Sequence, residues 1–157
     1  AKEGYEQIAA LFRETAENEK EHAKLFFKQL PGGEVTITAG YPAGVIGTTK
    51  ENLKAAADGE KMEWTLLYVD AAKIAKEEGF PEVAALFENI AKVEAAHEKR
   101  YRKILEAVEH GKFFKRDKDT SWKCRNCGYV HKGKDAPKNC PACKHPQRYF
   151  EELCENY

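Results

Sequence analysis

Five short motifs in this 157-residue chain carry side chains at metal-ligand spacing. Glu19-x-x-His22 and Glu94-x-x-His97 each set a carboxylate and an imidazole three residues apart, on one face of a helix and within reach of one ion. Glu60-x-x-Glu63 does the same with two carboxylates. Farther along, Cys124-x-x-Cys127 and Cys140-x-x-Cys143 offer four thiolates to a tetrahedral centre. A lone Glu-x-x-His is usually a surface ion pair, so the weight falls on their repetition and on which way they face.

The spacing of apolar residues predicts three helices that position them. Over residues 3–30, Ile8, Phe12, Glu19, His22 and Phe26 form one inward stripe, which Pro31-Gly32-Gly33 ends. A loop over 34–47 includes a β-prone run, Val35-Thr36-Ile37-Thr38. Thr48-x-x-Glu51 reads as a capping box opening a helix to about 78, with Leu53, Ala56, Glu60, Glu63 and Leu67 inward. Pro81 opens a third helix to about 110, with Val83, Phe87, Ile90, Glu94, His97 and Tyr101 inward. Four glutamates and two histidines then share one core. Buried carboxylates without partners are costly or become protonated, and a pair of cations held between them removes that penalty.

An internal repeat supports this arrangement. Glu3-Gly4-Tyr5-x-x-Ile8-Ala9-Ala10-Leu11-Phe12 matches Glu78-Gly79-Phe80-x-x-Val83-Ala84-Ala85-Leu86-Phe87 at an offset of 75 residues, and the same offset carries Glu19 onto Glu94 and His22 onto His97. The second copy follows a full helix; the first follows only residues 1–3, which read as the last turn of one. A bundle with one Glu from each of two helices and Glu-x-x-His from each of the other two would need a further helix and ligand, expected upstream of Ala1 or from another subunit.

The tail reads as a separate small domain, with Trp122, Tyr129 and Phe150 as its core and Gly128 letting backbone amides approach sulfur. Spacing alone leaves zinc and iron both open. Cys154 is expected to be a plain thiol. The expected division is a helical domain over 1–111, a charged linker over 112–121 and the cysteine domain over 122–157. Lys+Arg and Asp+Glu are 26 each, so no net charge points to nucleic acid or an anionic membrane as partner. No apolar run approaches the ~20 residues of a membrane span. Paired Cys-x-x-Cys motifs favour metal in a reducing compartment over disulfides.

Taken together, the stretches Glu19–Lys24, Asp58–Glu63, Val93–Arg100 and Trp122–His131, with Asn139-Cys-Pro-Ala-Cys-Lys-His-Pro, resemble the rubrerythrin family. The resemblance implies a mainly α, ferritin-like antiparallel bundle, three of its four helices in this chain, followed by a rubredoxin-like domain with short strands. It implies two irons held by carboxylates and histidine, one further iron on Cys124, Cys127, Cys140 and Cys143, and neither haem nor bound nucleotide. By position Glu19 and Glu94 would bridge the irons, Glu60 and His97 would serve one, and Glu63 and His22 would exchange at the other with oxidation state. Tyr68 matches a tyrosine near that site.

The activity so implied is reduction of hydrogen peroxide in the cytoplasm, with electrons from rubredoxin or an NAD(P)H-linked reductase. A homodimer or larger oligomer is expected, with an exchanged helix as one route to completing the bundle. Two other readings are carried forward: a ferroxidase or iron store of the ferritin type, and a non-enzymatic zinc-ribbon module on a helical bundle.

Overall fold

Helix ends are fixed by their caps. In the computed structural model, which describes residues 1–155, the helices are α1 (Glu6–Phe27), α2 (Thr49–Met62), α3 (Tyr68–Glu77) and α4 (Pro81–Glu109). The Thr48 hydroxyl accepts from the Glu51 amide at 3.3 Å while the Glu51 carboxylate accepts from the Thr48 amide at 2.8 Å, so the capping box at the start of α2 is complete. Gly79, at φ +84°, ends α3: its N–H bonds the Lys76 carbonyl at 3.2 Å and the Phe80 N–H bonds the Ala75 carbonyl at 2.8 Å. Only a residue without Cβ takes that backbone freely.

The expected helix over 49–78 runs without a break in direction of chain but not in one helical form. Residues Glu63–Leu67 form a π-helical turn between α2 and α3. A π turn inserts one residue into the α period, so side chains beyond it fall one position late. Leu67, expected in the inward stripe, is therefore 50% exposed, and Tyr68 takes the inward place with its ring 5.8 Å from those of Phe26 and Phe87. Ahead of the turn, Leu53 and Ala57 are buried while Ala56 is only half-buried.

By compactness the chain divides into a unit of Thr15–Arg102 and a unit joining Ala1–Glu14 to Lys103–Tyr157. In the first, Ala72, Ala75 and Ala84 are buried with Val83 and Phe87 packed against them; side chains this small let α3 and α4 approach closely. In the second, strands β1 (Lys115–Cys124), β2 (Val130–Asp135) and β3 (Phe150–Glu152) form an antiparallel sheet in the order β2-β1-β3. Trp122, Cys124, Ala136, Cys140 and Phe150 are its buried core, and the Trp122 indole donates to the Gly133 carbonyl at 2.9 Å. Tyr5 stacks on Phe114 at 5.9 Å and meets Phe113 edge-on at 5.3 Å.

The stretch 112–121, charged enough to read as a linker, supplies most of β1 instead. Its charges have partners: Arg116 reaches Glu152 at 2.7 Å and Lys115 lies 3.6 Å from Asp135. The run 35–38 pairs with no strand among the described residues; its loop is extended, with Tyr41, Val45 and Ile46 exposed. No helix among the described residues is long and apolar enough to cross a membrane.

Candidate metal centres

Within the Thr15–Arg102 unit, α1 supplies Glu19 and His22, α2 supplies Glu60, the π turn supplies Glu63, and α4 supplies Glu94 and His97. Ligand atoms of Glu19, Glu60, Glu94 and His97 all lie within 4.8 Å of one another. His22 joins them through its Nδ1, 3.1 Å from Glu19 Oε2 and 3.0 Å from Glu94 Oε1. His97 Nδ1 is 2.9 Å from Glu94 Oε2, 3.4 Å from Glu19 Oε1 and 3.5 Å from Glu60 Oε1. Glu19 and Glu94 thus each turn one oxygen to one histidine and the other oxygen to its counterpart.

Burial makes this cluster expensive as it stands. Glu94 is fully buried, and Glu60, His22 and His97 are less than a tenth exposed. Glu19 Oε1, Glu60 Oε2, both Glu94 oxygens and His97 Nδ1 are buried without a well-aligned hydrogen bond among the described residues. Close approach with poor alignment is what groups aimed at a common point between them produce. Without a cation the protons redistribute. Glu19, Glu60 and Glu94 hold the His97 imidazolium and push its pKa to about 11. Burial, then Glu60, Glu94 and Glu19, push the Glu63 carboxyl up to about 7. Glu60 is also raised, by burial first; Glu19 is held low by His97 and His22 against its own burial. Cations between these carboxylates supply the missing charge, so the donor set fits a di-iron site.

Glu63 is half-buried and outside the tight group, felt by it through charge. Tyr68 stands beyond it, its hydroxyl held protonated by burial and by the Glu63 charge. Two neighbours carry no signal in the sequence motifs. Asn18 Oδ1 lies 3.2 Å from His97 Nε2, so Nε2–H donates to the amide and Nδ1 is left facing the carboxylates. Trp64, in the π turn, donates to Glu98 at 2.7 Å, and Arg102 ties Glu98 at 3.1 Å to Asp58 at 2.7 Å. That chain of bonds fastens the π turn to α2 and α4. The one cue to Asn18 is the repeat, which puts Val93 in the corresponding place.

The second centre is formed by the four sulfurs of Cys124, Cys127, Cys140 and Cys143, all within 4.8 Å of one another. Cys124 and Cys140 are buried, Cys143 is half-buried and Cys127 is exposed. The sequence predicts this group completely. Amides point at the sulfurs: those of Asn126 and Cys127 at Cys124, Tyr129 at Cys127 and His145 at Cys143. The His145 amide draws the Cys143 thiol down to about 6, whereas Cys127 is opposed by its Tyr129 amide but pushed up to about 12 by the sulfurs around it. Four sulfurs with inward-pointing amides fit one iron in an FeS4 centre. Cys154 stays outside the cluster, a free and exposed thiol.

Comparison with known proteins agrees with both centres. The rubrerythrin family model matches residues 1–105, and that of the rubrerythrin rubredoxin-like domain matches 122–151. Rubrerythrin of Porphyromonas gingivalis is 62% identical over 156 residues, an alignment covering 99% of this chain and 78% of that protein. Rubrerythrin of Nitratidesulfovibrio vulgaris is 49% identical, covering 99% and 82%. Among solved structures, fully reduced, all-ferrous nigerythrin is similar with a TM-score of 0.58 at 31% identity, over 97% of this chain and 73% of that one. With both family models matched and these identities over nearly the whole chain, the chain belongs to the rubrerythrin family.

Proposed function

We propose that the protein reduces hydrogen peroxide to water at a carboxylate-held di-iron centre, with electrons passed in by the four-thiolate iron. One observation carries the reading: a carboxylate–imidazole cluster that fits a di-iron site and four sulfurs that fit an electron-carrying FeS4 centre occur in a single chain. An iron store needs no such inlet. When bound, a ferrous pair supplies the two electrons that a peroxide O–O bond takes up.

Glu19 and Glu94 are the residues that would bridge, because each has one oxygen toward His22 and one toward His97. Glu60 and His97 would hold one ion, Glu63 and His22 the other. Asn18 tethers His97, whereas the repeat gives Val93 at the matching place, so among the described residues His22 has no equivalent tether. Glu63 sits in the π turn, outside the tight group of Glu19, Glu60, Glu94 and His97.

Turning peroxide into two waters also consumes two protons. In the metal-free protein the Glu63 carboxyl is raised to about 7; as a ligand to iron it would be ionised, so those protons would come from solvent. The Tyr68 hydroxyl keeps its proton and would be free to donate it in a hydrogen bond to a bound substrate. Electrons would come from rubredoxin or an NAD(P)H-linked reductase in the cytoplasm, and the working form would be a homodimer or larger assembly. Stopped-flow mixing of the reduced, iron-loaded protein with H2O2 and separately with O2 tests the reading. Oxidation is expected to be faster with peroxide; faster oxidation by O2 would establish a ferroxidase instead.

A further inference from the structure

The two cysteine loops are copies of one turn, sixteen residues apart. In the first, the Gly128 N–H donates to the Cys124 carbonyl at 2.8 Å and the Cys124 N–H to the Tyr129 carbonyl at 2.8 Å. In the second, the Lys144 N–H donates to the Cys140 carbonyl at 2.9 Å and the Cys140 N–H to the His145 carbonyl at 2.8 Å. Gly128 and Lys144 therefore occupy the same place, at φ +79° and +63°. Glycine adopts that backbone freely, while a residue with a Cβ is strained there. Lys144 is the one non-glycine residue with positive φ among the described residues.

A strained lysine where glycine would fit draws attention to what its side chain does. Its ammonium folds back and donates to the Pro141 carbonyl at 2.8 Å, within the turn that joins Cys140 to Cys143. One positive charge is thereby tied to the loop that carries two of the four sulfurs. Four thiolates around ferric iron carry a net charge of −1, and around ferrous iron −2. A nearby cation favours the more negative, reduced state.

We propose that Lys144 sets the reduction potential of the four-thiolate centre, its tethered ammonium raising that potential so that ferric iron accepts one electron more readily from an external one-electron donor. The proposal rests on iron occupying the cysteine site and is independent of peroxide as the substrate. No bond forms or breaks: one electron enters and the ammonium keeps its proton.

Dye-mediated redox titration of the visible bands of the full chain, as parent and as Lys144→Gly, Lys144→Asn and Lys144→Arg, tests it. Glycine and asparagine both accept the backbone conformation and remove the charge; arginine keeps the charge. At a fixed poise the ferrous-to-ferric ratio is expected to fall about three- to tenfold in the glycine and asparagine variants, tenfold being 59 mV for one electron. The arginine variant should stay close to the parent, and added salt should narrow the gap between charged and neutral variants. Thermal stability of Lys144→Gly should hold or rise as strain is released. Equal potentials in all four proteins would overturn the proposal, as would a loss of stability in the neutral variants with an unmoved potential, which would make the side chain a staple of the turn. A colourless, zinc-loaded tail would overturn it together with the iron reading it rests on.

Discussion

His22 and His97 lie with ring centroids 6.2 Å apart and share both Glu19 and Glu94, one oxygen of each carboxylate turned to each ring. Four side chains from two helices thereby enclose a space with negative charge on two sides and imidazole nitrogen on the other two. This geometry follows from the repeat, because residues 75 apart on α1 and α4 meet as near-equivalents.

Glu94 is the member of this group with no exposure at all. Glu94→Ala should abolish metal binding in the helical unit while the thiolate centre keeps its visible bands. Metal analysis alongside the absorption spectrum of one sample checks this. Equal loss of both metals would mean a general failure to fold.

Proton linkage gives the metal-free protein a distinctive pH dependence. Glu63 rises from 4.5 to about 7 and His97 from 6.5 to about 11 on folding, so the folded chain binds more protons than the unfolded one between about 4.5 and 11. The His97 contribution is fully present below 6.5 and is lost as pH climbs toward 11; ionisation of Glu63 above 4.5 likewise favours the unfolded state. Stability of the metal-free form should therefore fall from pH 5 to pH 9. Metal displaces these protons, so loading should release them, and calorimetry in buffers of different ionisation enthalpy should count them. Glu63→Gln should flatten the lower part of the profile.

Asn18 reaches the cluster through its bond to His97. Asn18→Leu keeps the shape but removes the acceptor, and metal affinity at the helical centre should drop roughly 10–100-fold. Competition with a chelator measures it. Asn18→Asp, which still accepts from Nε2–H, should retain binding, an outcome that lost packing alone would not give.

Trp122 anchors the other unit: it is 1% exposed and bonded to Gly133. Trp122→Ala should destabilise that unit by about 3–5 kcal/mol. Trp122→Phe should cost less, losing the indole hydrogen bond but keeping most of the packing. Thermal melts followed by the visible bands should separate the two.

The sequence makes the helices, the four-cysteine group and most of the Glu/His cluster legible for plain physical reasons. Thr48 with Glu51, Pro81 and Gly79 mark ends by chemistry that acts locally, and cysteine pairs have few uses. The π turn was not legible, because one extra residue in a helix leaves no characteristic composition; its trace is that Tyr68 rather than Leu67 faces inward. Asn18 was missed since its bond joins residues 79 apart and fits no period. Residues 115–121 read as a linker because the partners of Lys115 and Arg116, on β2 and β3, lie far off in sequence.

Sulfur exposure is uneven across the four-cysteine centre: Cys124 and Cys140 are sealed, while Cys127 is open and Cys143 partly so. Wear on this centre then has a direction. Chelators and oxidants must begin at the outer pair, and each step exposes the inner one only after an outer bond has gone. Storage in air should age the protein from that rim inward, with Cys127 modified before Cys124 and Cys140.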